Sequence, residues 1–585
     1  MCGIFGIIGN HSKINIKEAL NAIKHRGPDD EGEYSDENVK LGFRRLSIID
    51  LSPKGHQPMS NEDSTVWIVF NGEIYNYQEI KKELIGKHNF KSSTDTEVLI
   101  HGYEQWGIDG LLNRINGMFA FCLYDKSNKE AYLVRDRIGK RPLYYFKSNR
   151  RLTFSSEVKA FFSLNYFKYE IDEQSFKMWM GFPYLPDNEK TLIKNVYKVP
   201  PGSYLKIKLN GNVSLNKYWQ IKENKIDQPF EDIRNDLEKI LIDSVTKRLI
   251  ADVPVGVLLS GGLDSSLITA IASKYSKNKI KTVNISFPGS GIDERKYAEE
   301  VANHCNTNHI ALTLDVKDIY NQFKLNIGIY DDLSTVDSGL FSTYLLSKKI
   351  REIGVKVILV GEGADEIFAG YTWFQLSQYP LRFLPDNIKA WFYYYAIMRN
   401  LPNKKFFDYS NILLNKMNET SGSFLKKIQR YEIDYSLPNH YCMKVDKGSM
   451  AASVEARAPY MDHRIAEFAA NINDKYLLNS SIYNPKVSNE KFILRQIAKD
   501  YLPPSIAQRK KRGGMIPLYN LLNRGLTEDK QLILSNNYLL RFYGKEYLSE
   551  LIETKPTLFI SKWQREWILW KCLVFSLWQN HFKNL

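Results

Sequence analysis

Apolar positions along this chain change their period part-way. From the start to about residue 210 they come in short runs separated by turn residues: VWIVFNGEIY (66–75), MFAFCLYD (118–125), AYLVRD (131–136), PLYYF (142–146) and GSYLKIKL (202–209). Each predicts a strand, and GIFGIIG (3–9), behind Met1 and Cys2, predicts a buried first one. From about residue 225 single apolar runs alternate with helical stretches. VPVGVLLS (253–260) precedes LDSSLITAIASKY, KTVNISF (281–287) precedes DERKYAEEVANH, and VKVILVG (355–361) follows STYLLSKKIREIG. That alternation predicts a parallel sheet covered on both faces. The change falls near 210–228, so the domains are expected at 2–210 and 228–585.

Composition narrows the class. At 585 residues the chain exceeds one core and implies roughly two to four domains. With 43% hydrophobic and 25% charged residues it is neither disordered nor fibrous, and no run reaches the ~18 apolar residues of a membrane span. The five cysteines, at 2, 122, 305, 442 and 572, are scattered and lack CxxC spacing. This argues against both a disulfide framework and a zinc site and for a reducing cytoplasm. The net charge of +14 is spread along the whole chain, a bias in composition rather than a nucleic-acid patch.

Two stretches carry chemistry. LLSGGLDSS (258–266) sets two glycines and three hydroxyls between a buried strand and a helix, where free N–H groups and the helix dipole receive a phosphate. No lysine follows the glycines, so this is not a Walker A loop. Asp264 in an anion-binding loop is repulsive unless a divalent cation mediates, which points to Mg²⁺ bridging it to pyrophosphate. VGEGADEIFAGY (360–371) puts Glu362, Asp365 and Glu366 at a second strand-to-helix turn, and both loops should open on one crevice beyond the strands' carboxyl ends. Taken singly, the first reads also as a serine-rich N-cap and the second as an acidic cap.

These stretches, with SMAASVEARAPYMDHR (449–464), resemble the ATP-pyrophosphatase domain of the glutamine-dependent asparagine synthetase family. The resemblance implies an adenine nucleotide α-hydrolase-like α/β fold with a mostly helical C-terminal part, and an acyl-adenylate that ammonia resolves. It implies that Leu258, Ser260, Gly261, Gly262, Asp264, Ser265, Ser266, Ile285, Val360, Gly361 and Lys491 bind ATP. Asp264 and Asp365 would hold Mg²⁺. Glu362 would support attack on the adenylate, its carboxyl raised by the crowding of Asp365 and Glu366. Arg457, like Lys491, would face the phosphates.

The first half resembles the class II, N-terminal-nucleophile glutamine amidotransferase domain through CGIFG, HRGPDDEG (25–32), RRLSIID (44–50), FNGEIYN (70–76), SSTDTEV (92–98), NGMFAF (116–121) and RDRIGKRPLYY (135–145). The implied fold is α+β, two layered antiparallel sheets flanked by helices. Loss of Met1 would leave Cys2 with a free α-amine, which titrates near about 7.7–8.0 and serves as the thiol's own base. Asn71 and Gly72 would form the oxyanion hole. Arg45, Leu46, Ser47, Ile48, Ile49, Glu73 and Asp95 would bind glutamine, Arg45 by its α-carboxylate and the two acids by its α-ammonium. Each has a plainer reading as strand, hairpin or cap, which their number and order outweigh.

The resulting expectation is an enzyme using glutamine, ATP and an acceptor carboxylate, with ammonia passed along the domain interface and a homodimer allowed. Aspartate is the expected acceptor and a uronic acid of surface polysaccharide the alternative, because DDLSTVDSGLFSTYLLS (331–347) and RKKRGGMIPL (509–518) depart from the family pattern near the expected acceptor pocket. A nucleic-acid-binding protein is the third reading, and it leaves the glutaminase half unexplained. Two aromatic, basic stretches, 381–401 and 563–582, are expected to pack as helices on the core, with a membrane-surface face as the alternative.

Overall fold

The computed structural model describes residues 2–11, 14–148, 151–286, 294–314, 318–398, 406–479, 490–510, 518–553 and 562–583. Met1 and most of 509–518 lie outside them.

The first half is two antiparallel sheets face to face. Strands β1 (Gly3–Gly9), β2 (Asp30–Ser35) and β3 (Val39–Arg45) join β8 (Tyr144–Ser148), β9 (Arg151–Ser155) and β10 (Val196–Lys198) in the order β10-β8-β9-β1-β3-β2. The other sheet, β12-β11-β7-β6-β5-β4, comprises β4 (Met59–Ser60), β5 (Val66–Ile74), β6 (Gly117–Asp125), β7 (Glu130–Arg135), β11 (Ser203–Lys208) and β12 (Val213–Lys217). Period-2 alternation explains why β1 is apolar throughout. Ile4 and Ile8 enter the core between the sheets with Phe43, Val69 and Cys122, while Phe5 and Ile7 pack outward on Leu20 and Ile23. Helices 77–84 and 97–114 cover the other outer face through Ile80, Leu99 and Leu111.

The second half holds a five-stranded parallel sheet in the order β15-β14-β13-β16-β17, from β13 (Val255–Leu258), β14 (Lys281–Ser286), β15 (Asn308–Thr313), β16 (Val357–Leu359) and β17 (Glu455–Arg457). Its order reverses at β13, so the loops after β13 and β16 flank a switch point. Helix Lys562–Lys583 buries Trp570 and Trp578 in a core shared with Phe176 and Trp179 of the first half, as its sequence predicts. The other aromatic stretch does so by one face only. Ala390, Tyr393 and Tyr394 are buried, but Leu381, Phe383, Ile388, Phe392 and Tyr395 are exposed. Among the described residues no helix is long and apolar enough to cross a membrane.

A buried polar seam joins the halves. Asp446 takes Arg26 and Arg141 at 2.8 and 2.9 Å, Tyr144 Oη donates to Asp332 at 2.9 Å, and Lys447 pairs with Asp332. Asp331 accepts from Val158 and Lys159 N–H. The departure at 331–347 that was expected beside the acceptor pocket thus begins with carboxylates fixed in the interdomain seam.

Candidate active sites

Cys2 sits at the head of β1, where pairing of β1 with β3 brings it against Arg45 and Leu46. Its cavity is also lined by Phe43, Ile48, Ile49, Gln57, Phe70, Gly72, Glu73, Thr94, Asp95, Thr96 and Glu455. Ser47 is not among the lining residues; its N–H is turned to Asp29 at 2.9 Å. Cys2 N–H donates to Asn71 Oδ1 at 3.0 Å, which orients the amide. Asn71 Nδ2 is buried without a hydrogen-bond partner, an arrangement suited to a developing oxyanion. Burial pushes the Cys2 thiol up, against the pull of the amino terminus, the Leu46 N–H and Arg45. Arg45 is braced by the carbonyls of Ser52, at 2.9 Å, and Asp50.

Acidic groups crowd the far wall. Asp95 accepts from Ile74 N–H at 2.8 Å, and burial, aided by the charge of Glu455, pushes its carboxyl up to about 6. Glu73 rises well above the usual range through burial and then Asp95. Glu455 comes from β17, more than 300 residues on, and Arg457 of the same strand donates to Glu73 at 2.9 Å and to Glu455 at 2.6 Å. Arg457 is fully buried there. Its guanidinium is spent on Glu73, Glu455 and the carbonyls of Arg248 and Ile250, away from the phosphate loop where its motif implied it.

The nucleotide loops assemble beyond the sheet. Leu258 ends β13 and Ile285 lies near the end of its neighbour β14, and Val360–Gly361 follow β16, on β13's other side. Ser265 Oγ accepts from Ser260 N–H at 3.2 Å and Ser260 Oγ from Gly262 N–H at 3.3 Å, closing the loop on itself. Ser266 is buried beneath it. Gly261 has φ +74° and a Cβ there would lie 2.7 Å from Ala298 N, so glycine is required. Lys491 Nζ bridges Asp264 at 2.5 Å and Asp365 at 2.8 Å. Glu362 is half-buried on the same turn. Glu366 on the same turn is buried, and burial and then the charge of Asp365 push its carboxyl up to about 7, against the pull of the Tyr371 hydroxyl that it accepts.

Three participants escaped sequence reasoning. Glu455 lies within SVEAR, and nothing local in the sequence shows which half it enters. Arg509 donates to Gly261 O at 2.7 Å and stacks on Tyr297, 3.9 Å from the ring centroid. Gln57 donates to Thr96 and accepts from Phe70 N–H beside the cysteine cavity.

Comparison with known proteins decides the family. Residues 1–219 match the model of the glutamine amidotransferase domain, and residues 236–580 match the model described as asparagine synthase. The chain is a member of the glutamine-hydrolysing asparagine synthetase family. Asparagine synthetase [glutamine-hydrolyzing] 1 of Bacillus subtilis is 30% identical over 99% of this chain and 96% of its own. Asparagine synthetase B of Escherichia coli is 32% identical over 87% and 81%, and the maize protein 31% over 87% and 77%. Full-length similarity of this kind favours the asparagine synthetase reading over a polysaccharide-directed relative. Family membership makes the chain an ATP-dependent glutamine amidotransferase ligase.

Proposed function

We propose that this protein makes asparagine from aspartate, using ATP and glutamine in a reducing cytoplasm, with AMP, pyrophosphate and glutamate as the other products. The carrying observation is β17. Its side chain Glu455 lines the cysteine cavity and Arg457 donates to Glu73 of the cavity wall, while its backbone pairs with β16, Arg457 O accepting from Val360 N–H at 2.9 Å in the nucleotide loop. One short strand touches both sites.

Once Met1 is removed, the Cys2 α-amine takes the thiol proton and the sulfur attacks the glutamine side-chain amide. Asn71 Nδ2 and Gly72 N–H receive the oxyanion, ammonia leaves, and water frees glutamate from the thioester. Arg45, Leu46, Ile48 and Ile49 embrace the glutamine, with Glu73 and Asp95 on its ammonium. Free in water the ammonia would protonate, so its path is expected to follow the seam beside β17, where Arg141 donates to Ala456 O at 3.1 Å.

In the second site Leu258, Ile285, Val360 and Gly361 hold the nucleotide and the Ser260–Ser266 loop cradles its phosphates. The convergence of Asp264 and Asp365 on one cation, here Lys491 Nζ, fits a Mg²⁺ site. Bound Mg²⁺ would neutralise the leaving pyrophosphate, leaving Lys491 to follow the phosphate charge. Glu362 takes a proton from the attacking ammonia.

Aspartate-dependent AMP release with glutamine tests this reading. Cys2→Ala should abolish glutamine-dependent synthesis and retain ammonia-dependent synthesis. AMP release with a uronic acid and not with aspartate would overturn the acceptor, and loss of both activities the two-site scheme.

A further inference from the structure

The glutaminase half carries a second cluster that neither half-reaction uses. Helix Glu97–Arg114 sets His101 and Glu104 three residues apart on one face, the spacing by which helices offer a His and a Glu to one ion. His88, in the turn after helix Tyr77–Leu84, stacks on His101 with ring centroids 4.8 Å apart. His101 Nδ1 lies 2.9 Å and His88 Nδ1 3.5 Å from the same oxygen, Glu104 Oε2. Ligand atoms of the three residues all fall within 4.8 Å of one another. Glu62 Oε2 stands 4.0 Å from His101 Nδ1.

Two imidazole Nδ1 atoms converging on one carboxylate oxygen either each donate a proton to it or present their lone pairs to a cation shared with it. A divalent ion serves both, and two neutral imidazoles with two carboxylates balance its charge. The carboxylates are already aimed: Asn61 Nδ2 donates to Glu104 Oε1 at 2.8 Å and Asn89 N–H to Glu62 Oε1 at 3.0 Å, the outer hydrogen bonds that orient metal ligands. Both rings keep a buried Nε2 without a hydrogen-bond partner, and His101 Nε2 faces Glu97 Oε1 at 3.7 Å, so the ring atoms left to meet an ion are the two Nδ1 atoms at Glu104.

We propose that His88, His101, Glu104 and Glu62 bind a divalent transition-metal ion of the zinc class. Two imidazoles with carboxylates favour Zn²⁺ over the harder Mg²⁺ or Ca²⁺. The ion fastens the segment after helix Tyr77–Leu84 to the long helix. Glu97, 3.7 Å from His101 Nε2, accepts from the N–H groups of Lys91 and Ser92. That segment leads directly to Thr94, Asp95 and Thr96 on the wall of the cysteine cavity.

Full-length protein, stripped with EDTA and dialysed against micromolar zinc sulfate, should retain one zinc per chain by mass spectrometry. It should do so equally as Cys2→Ala, which removes the thiol of the cysteine cavity, and melt at a higher temperature with zinc than with magnesium. His88→Ala, at a half-buried position, should lose the ion and the thermal shift. Its affinity should fall on the order of 100-fold or more, beyond the loss of an outer partner; His101→Gln should behave alike if it folds. Zinc retained equally by His88→Ala, or none retained by the unaltered protein, overturns the proposal.

Discussion

Glu73 and Asp95 illustrate how single side chains in this protein take their chemistry from distant neighbours. Burial raises both carboxyls, Asp95 to about 6, and a bound ammonium requires them ionised. Protons therefore compete with glutamine, and affinity should improve as pH rises through the Asp95 value. A carboxyl of pKa 6 is about one-quarter ionised at pH 5.5 and nearly fully at 7.5, so the glutaminase KM should fall roughly fourfold over that span. A KM that is flat while kcat changes would remove the two acids from the ammonium site.

At the scale of elements, the strand-to-helix turn at Gly261 is the least replaceable local geometry. Gly261→Ala adds about 1–2 kcal/mol for the left-handed backbone and drives the new Cβ into Ala298 N. ATP-dependent synthesis should drop at least about tenfold, with the glutaminase rate retained because the loop lies in the other half. Parallel loss of both activities would show that the substitution unfolds the protein instead. The same scale explains why β1, β5, β6 and β11 were legible as apolar runs but β2 and β17 were not. DEGEYS (30–35) and EAR (455–457) have no apolar run to announce them, and their pairing is supplied by neighbours.

For the whole molecule, the shared core makes the two domains one folding unit. Trp570 and Trp578 pack with Phe176 and Trp179, and Arg26, Arg141 and Asp446 are buried across the seam. Calorimetry should show one unfolding transition. Trp578→Ala, costing about 3–5 kcal/mol, should lower its temperature without splitting it. Arg457→Met should do likewise, because Glu73 and Glu455 stay buried without their partner, at a cost of about 3–5 kcal/mol. A glutaminase half that melts separately would contradict this.

By itself the sequence determined what is local: the change of period near residue 210, the glycine-rich loop, the acidic turn, and the cysteine poised behind Met1. These follow from bonds and spacings within a few residues, so the family resemblance and the candidate site residues could be read from them. Only the tertiary structure decided which half each side chain of SVEAR serves. Arg457 and Glu73 are 384 residues apart, and the twist and pairing of the parallel sheet bring them to 2.9 Å. It likewise decided that Glu366 is buried beside Asp365, that one aromatic stretch is buried and the other half exposed, and that two histidines share a carboxylate. Desolvation and charge pairing depend on the whole surroundings of an atom, and those surroundings come from chain segments with no sequence relation to one another.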